Sequence, residues 1–332
     1  MLDPRGIFLI SIDFELYWGV RDKKTLEAYW RNLEGARPVI AATLDLFRTY
    51  EIHATWATVG FLFFDTREEL LAALPERRPA YADARLDPYQ YLGAIGAGEG
   101  ADPFHFGASE VRRIAAQPHQ EIGSHTFSHY YCLERGQDGA TFRADLEAAI
   151  GAGKRLGVAI ESLVLPRNQF NEAYGPICAE LGIKAYRGTP AAWIFQPRSE
   201  EATSRAIRAM RLADAYVNLT GHGCYRPEAI ARVAPLNIPA SRYLRGHAPR
   251  LAALEPLRLR RITRSMTHAA RHGLAYHLWW HPHSLGAHRE RNMAFLRDIL
   301  EHHRRLRETR GMESLNMREF AGRLLREAPR ER

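Results

Sequence analysis

Residues 6–13, Gly-Ile-Phe-Leu-Ile-Ser-Ile-Asp, form a nearly unbroken apolar run bounded by turn signals. A strand this apolar has to be covered on both faces, as in a parallel sheet or barrel; a strand with one wet face would alternate. The run ends in Asp13-Phe14-Glu15, followed by Leu16-Tyr17-Trp18-Gly19. In extended backbone, positions i and i+2 point the same way, so the two carboxylates share one side. Carboxylates at the end of a buried strand are costly unless paired, hydrogen-bonded or bound to a metal. The alternative is a capping Asp and a surface Glu that open a loop.

Residues 34–60 extend the same pattern. From about Glu34 to Tyr50, Val39, Ile40, Leu44, Leu46 and Phe47 lie toward one helix face, and His53 to Val59 reads as a second buried strand closed by Gly60. Strand, helix and strand make a βαβ unit, the building block of parallel sheets and (β/α) barrels. Helices are predicted near 109–117, 141–156, 171–181, 249–271 and 290–310, and strands near 163–170, 183–188 and 274–280. Residues 75–106, broken by Pro79, Pro88, Pro103 and a glycine-rich stretch at 93–100, read as a long loop that can serve as a lid. Residues 221–225 and 238–245 read as irregular loops, candidate substrate walls. At 332 residues the chain is long enough for one large α/β domain or two smaller ones. With no linker to divide it, a single catalytic domain is expected over 1–332, with a loop-rich insertion around 197–248 and basic C-terminal helices over 288–332.

Several classes are disfavoured. The N-terminus has no basic region ahead of a long apolar one, and no stretch of 18 apolar residues occurs, so a soluble, cytoplasmic protein is expected. Cys132, Cys178 and Cys224 are odd in number and far apart, which suits buried small hydrophobes rather than a disulfide framework. The net charge of +8 fits a solvated arginine-rich surface, attraction to phosphate-bearing substrates, or peripheral contact with an anionic membrane. No nucleic-acid motif accompanies it.

The stretch Glu121-Ile-Gly-Ser-His125-Thr-Phe-Ser-His129 adds two imidazoles four residues apart. If the segment turns helically, both rings lie on one side and can share a cation. Arg167 follows the strand near 163, and His281 ends the strand 274–280. Parallel-strand folds gather functional groups at the carboxyl ends of their strands. One carboxylate and two histidines leave open positions on a divalent cation, and a second carboxylate can take a proton from water. A histidine opposite can protonate a leaving amine, and an arginine beside the base keeps it ionised. These parts describe metal-assisted amide hydrolysis.

On these motifs the chain resembles the polysaccharide deacetylase superfamily (NodB-homology, carbohydrate esterase 4-like). Ser-Ile-Asp13-Phe-Glu15 is similar to its Thr-Phe-Asp-Asp motif, and Ala-Thr-Trp-Ala-Thr-Val59 to the Ala-Thr-Phe-Phe strand. Ser124-His125-Thr-Phe-Ser-His129 is similar to the His-Ser/Thr-x-x-His metal motif. Leu165-Pro-Arg167-Asn-Gln stands where the family has Arg-Pro-Pro, and Leu278-Trp-Trp-His281-Pro where it has Leu-x-His. The resemblance implies an α/β fold, an irregular (β/α) barrel of about seven parallel strands. It implies Asp13 as general base, Glu15, His125 and His129 as metal ligands, Arg167 orienting Asp13, and His281 as general acid. Trp18, Phe170, Trp193 and Trp280 are the implied substrate-binding residues, Phe170 through an oxyanion-holding backbone N–H. The implied cofactor is one divalent metal ion, zinc, with cobalt, nickel or manganese as alternatives. Departures are Glu15 for the usual Asp one position earlier, the missing double proline beside Arg167, and no counterpart of the Asp motif that supports the acid.

The implied activity is removal of the N-acetyl group from an aminosugar-containing intermediate: a glycan, a lipid- or nucleotide-linked sugar, or an aminosugar natural product. The alternatives are hydrolysis of a non-sugar linear or cyclic amide, as in the allantoinase-like branch, and a non-catalytic carbohydrate-binding relative.

Overall fold

The computed structural model describes residues 5–196, 204–231 and 233–327. Among the described residues nine strands are present: β1 (Ile7–Phe14), β2 (Ala54–Thr58), β3 (Gln120–Ser124), β4 (Ser162–Leu163), β5 (Ala185–Gly188), β6 (Leu236–Pro239), β7 (Arg242–Tyr243), β8 (Ala275–Trp280) and β9 (Glu313–Leu315). They pair in parallel in the order β6-β5-β4-β3-β2-β1-β8-β7, with β9 added along β1. The two ends of this path are one piece of chain, because only Ala240 and Ser241 separate β6 from β7. Ala240 N–H donates to Gly188 O beside β5 (2.9 Å), and Ser241 N–H to His277 O in β8 (2.8 Å). The sheet therefore curls into the irregular (β/α) barrel expected. Counting 236–243 as one stave, the circuit runs through β1, β2, β3, β4, β5, that stave and β8.

This stave corrects the reading of 238–245 as an irregular loop. Its strands are four and two residues long, and it changes partner midway, so no alternation or apolar run marks it. Ten helices of the described residues surround the barrel: α1 (Leu26–Glu34), α2 (Ala36–Tyr50), α3 (Arg67–Ala72), α4 (Ala108–Ala115), α5 (Gly139–Arg155), α6 (Gly175–Glu180), α7 (Arg205–Ala213), α8 (Glu255–His272), α9 (Arg289–Arg310) and α10 (Met317–Arg326). Among the described residues no helix is long and apolar enough to cross a membrane.

The parity of β1 explains how the site is placed. Phe8, Ile10, Ile12 and Phe14 point outward into the core shared with the helices. Burying each such side chain contributes about 1.5–3 kcal/mol. Ile7 and Leu9 point inward, packing with Ala57, Val164, Ala185, Leu236, Ile238 and Ala275 as an apolar floor. Ser11 and Asp13 continue that inward face toward the carboxyl end, so the interior turns polar as it rises.

Above the barrel, the α1–α2 junction passes against the 3₁₀ segment Pro282–His288, which follows β8. Asn32 Nδ2 donates to His283 O (2.9 Å), and Tyr29 Oη lies 2.9 Å from His283 Nδ1. The approach requires glycine on both sides. A Cβ on Gly35 would meet Gly286 O at 2.4 Å, and one on Gly286 would meet Asn32 O at 2.2 Å. Gly286→Ala is expected to cost about 1–3 kcal/mol, because backbone has to shift. A thermal scan would show a midpoint several degrees lower; an unchanged midpoint would contradict the packing.

Candidate active site

Asp13 sits buried where the inward face of β1 ends. It accepts two parallel hydrogen bonds from Arg187, Nη1 to Oδ1 and Nη2 to Oδ2, both 2.7 Å. Arg187 lies on the inward face of β5, two residues beyond Ala185. Its other N–H groups donate to Asn168 Oδ1 (3.0 and 2.8 Å) and Ser11 Oγ (2.9 Å). His277 completes the network. Its Nδ1 lies 3.2 Å from Pro239 O and its Nε2 2.8 Å from Ser11 Oγ. A carbonyl only accepts, so Nδ1 carries the proton and Ser11 O–H donates to Nε2. Burial pushes the His277 pKa down to about 3, with Arg187 adding to the effect, so the ring is neutral as this network requires. Burial alone would raise the Asp13 pKa; the charge and hydrogen bonds of Arg187, with His125 and His281, together outweigh it and hold the carboxyl below its ordinary value.

Glu15 leaves the strand and directly precedes a 3₁₀ turn over Leu16–Gly19, its side chain making no capping bond to the turn. Gly19 makes room for it, since a Cβ there would lie 1.9 Å from Glu15 Cδ. Four imidazoles surround the carboxylate. His125 Nε2 (3.1 Å) and His129 Nε2 (3.3 Å) face Oε2; His283 Nε2 (2.9 Å) and His281 Nε2 (3.5 Å) face Oε1. Burial pushes the Glu15 pKa up, but the surrounding imidazoles, His281 foremost, bring it well below its ordinary value. Burial lowers the His129 pKa against the pull of Glu15.

The histidine pair converges without a helix. Thr126 and His129 adopt left-handed backbone, with φ of 63° and 61°, and the two rings lie 5.1 Å apart. Buried Asp145 of α5 holds this loop by accepting from Phe127 N–H (2.7 Å), Ser128 N–H (3.1 Å) and the Ser128 hydroxyl. Burial pushes the Asp145 pKa up to about 6, which these donors only partly offset.

Whether these residues suit a cation is decided at His125. Its Nδ1 lies 2.9 Å from the buried Val164 carbonyl, so Nδ1 carries the proton. In the neutral ring Nε2 is then a bare lone pair aimed at a carboxylate oxygen 3.1 Å away. Two acceptors at that distance need a proton or a metal ion between them. An Nδ1–H anchored on a carbonyl is also the usual support of a metal-bound histidine. Glu15, His125 and His129 thus fit a divalent metal, and Glu15, His281 and His283 form a second set with ligand atoms within 4.8 Å of one another.

His281 Nε2 lies 3.5 Å from Asp13 Oδ2 and 3.5 Å from Glu15 Oε1. Burial pushes its pKa down to about 4 despite both carboxylates. The support for its other nitrogen is the Tyr243 hydroxyl, 3.3 Å from Nδ1. Asp13, Glu15 and all four histidines line one cavity of about 270 Å³, with Tyr29, Tyr243, Arg167 and Trp279 around them.

Four expected placements are corrected. Arg167 does not reach Asp13; it sits at the rim, paired with Asp22 and Glu134 (both 2.7 Å), and Arg187 takes the role expected of it. Trp18 is fully buried against Phe61 and His105, its indole N–H donating to His105 O. Trp280 is fully buried in the outer core beside Phe47. Parity puts Trp279, paired with inward-facing Ser11, on the cavity side instead. Trp193 is 58% exposed and does not line this cavity. The Phe170 ring stacks on Tyr186 (3.9 Å), so the side chain does not face the cavity, and the role expected of Phe170 rests on its backbone N–H alone. His283 was legible in His281-Pro-His283, and Arg187 as a charge inside a buried strand ending in Gly188.

The resemblance to the polysaccharide deacetylases is borne out. The family model described as polysaccharide deacetylase matches residues 34–186, just under half of the chain, a stretch that contains His125 and His129. A protein from Mycobacterium smegmatis assigned to the polysaccharide deacetylases superposes with a TM-score of 0.58 at 14% identity, covering 98% of this chain and 92% of that one. One assigned likewise from Pseudomonas aeruginosa PAO1 gives 0.56 at 13%, covering 98% and 92%. The Puue allantoinase gives 0.58 at 12%, covering 100% and 94%. At these identities the likeness shows the shared fold. No curated protein sequence matches the chain.

The exchange of arginines is testable by stability. Arg187→Met would strand the buried Asp13 charge, a loss of about 3–5 kcal/mol. Arg167→Met should cost less, because that guanidinium is 23% exposed. Denaturant unfolding of both variants measures the difference, and equal losses would contradict the assignment.

Proposed function

We propose that this chain, whose residues 34–186 carry the polysaccharide deacetylase match, is a metal-dependent hydrolase removing the N-acetyl group of an aminosugar-containing substrate. The observation that carries the reading is His125 Nε2 facing the Glu15 carboxylate at 3.1 Å while Nδ1 is anchored on the Val164 carbonyl, beside an oriented Asp13.

Glu15, His125 and His129 would hold the metal, zinc by preference for two imidazoles and a carboxylate. When bound, it supplies Lewis acidity, making water a better nucleophile and the amide carbonyl a better electrophile. Asp13 takes the proton of the attacking water at Oδ2. Arg187 keeps that carboxylate ionised and in one rotamer, so no reorganisation is required when the proton moves. His281 Nε2, 3.5 Å from Asp13 Oδ2, gives a proton to the departing amine nitrogen. Because its ring is neutral at rest, the proton it delivers is the one Asp13 has collected. Tyr243 holds the ring from the opposite nitrogen. His283, tied to Tyr29 through Nδ1 and to the Asn32 amide through its carbonyl, fixes the other oxygen of Glu15.

The test is acetate release from N-acetylhexosamine derivatives by zinc-loaded protein, with ureides and cyclic imides as the competing substrates. Asp13→Asn should lower kcat by about 10²–10⁴-fold with metal content retained. Wild-type turnover in the variant, or hydrolysis of ureides alone, would overturn the proposal.

A further inference from the structure

The catalytic cavity opens into a second chamber of about 460 Å³, sharing Arg167, Tyr243, Trp279 and His281 with it. The second chamber is markedly cationic. Arg208 and Arg211 reach it from α7, Arg242 and Arg245 from β7 and the residue pair beyond, and no Asp or Glu lines it among the described residues.

Some of these cations are already engaged. Arg242 bonds Asp214 through its carbonyl and Oδ2 (3.0 and 3.1 Å), Arg211 Nε donates to Ile194 O (2.6 Å), and Arg167 holds Asp22 and Glu134. Arg208 and Arg245 have neither an ion pair nor a side-chain hydrogen bond among the described residues. Most buried arginines of the fold have acidic partners, as Arg187 has Asp13, whereas Arg208 is exposed and Arg245 half-buried at the chamber wall. Like charges gathered at a cavity wall without a counter-charge repel one another, and an anion entering from solution relieves that repulsion. Guanidinium forks suit phosphate oxygens, which accept two parallel N–H bonds from each.

Resting on the deacetylase reading, we infer that the substrate carries a phosphoryl group, which docks on Arg208 and Arg245 while its acetamido group reaches Asp13. Tyr243 and Trp279, ring centroids 4.7 Å apart, stand at the neck between the two chambers and give the sugar ring an aromatic surface. This arrangement selects phosphorylated aminosugars over neutral glycans.

The test separates this inference from the reading it rests on, because inorganic pyrophosphate binds without any chemistry. Calorimetry with zinc-loaded protein near 0.15 M salt should detect pyrophosphate binding. In the Arg208→Gln Arg245→Gln variant the Kd should rise by about tenfold or more, with metal content retained. The preference in kcat/KM for a nucleoside-diphosphate N-acetylhexosamine and for an N-acetylhexosamine 1-phosphate over the free sugar should fall toward one. Comparing the two phosphorylated substrates distinguishes a diphosphate from a monophosphate requirement. Absence of pyrophosphate binding, or equal Kd in wild type and variant, would overturn the anion site. Arginine-dependent pyrophosphate binding with no acetate release from any sugar would leave the site standing and remove the deacetylase reading.

Discussion

A buried ion pair between Asp13 and Arg187 is the constraint on which the upper half of the barrel depends. Taking both charges out of water is expensive, and their attraction offsets the cost only when every other donor and acceptor is satisfied. The chain meets that demand around the guanidinium. Asn168 and Ser11 accept its remaining N–H groups, and Ser11 passes the polarity on to His277 and the Pro239 carbonyl. The network touches β1, β5, β6, β8 and the loop after β4, so one ion pair ties together staves that are far apart in sequence. That explains how strands as short as β4, β6 and β7 hold their register beside the site.

The same arrangement divides labour between two carboxylates separated by one residue. Asp13 faces a permanent cation and stays ionised with both oxygens occupied by N–H donors. Glu15 faces four imidazoles and no arginine. Burial that would raise either carboxyl is overcome in both cases, by Arg187 with His125 and His281 for Asp13 and by the surrounding imidazoles for Glu15. The two environments thus suit Asp13 to the part of base and Glu15 to that of ligand in the proposed reaction.

Much of this was legible in the residues, and what was not has physical reasons. The apolar run before Asp13 required a doubly covered strand, and β1 is that strand. The His125–His129 spacing predicted converging rings, and a loop with two left-handed residues, rather than a helix, brings them together. Parity decides between Trp279 and Trp280, and parity depends on a register that a run of aromatics does not reveal. The arginine exchange is of another kind. Arg167 stands at the motif position, but its positive φ of 57° turns it to the rim, while its neighbour Asn168 supports Arg187 from the next stave. Only the barrel's closure brings residue 187 beside residue 13. The stave at 236–243 was hidden for the same reason, since its pairing is wholly non-local.

The central claim is that Glu15, His125 and His129 hold a divalent cation against the Asp13–Arg187 pair. X-ray absorption spectroscopy of the zinc-loaded protein tests it most directly. A mixed nitrogen and oxygen shell near 2.0–2.1 Å with imidazole scattering is expected, losing the His125 contribution in His125→Ala and keeping it in Arg187→Met. A shell of oxygen atoms alone, or one unchanged by His125→Ala, would contradict the account.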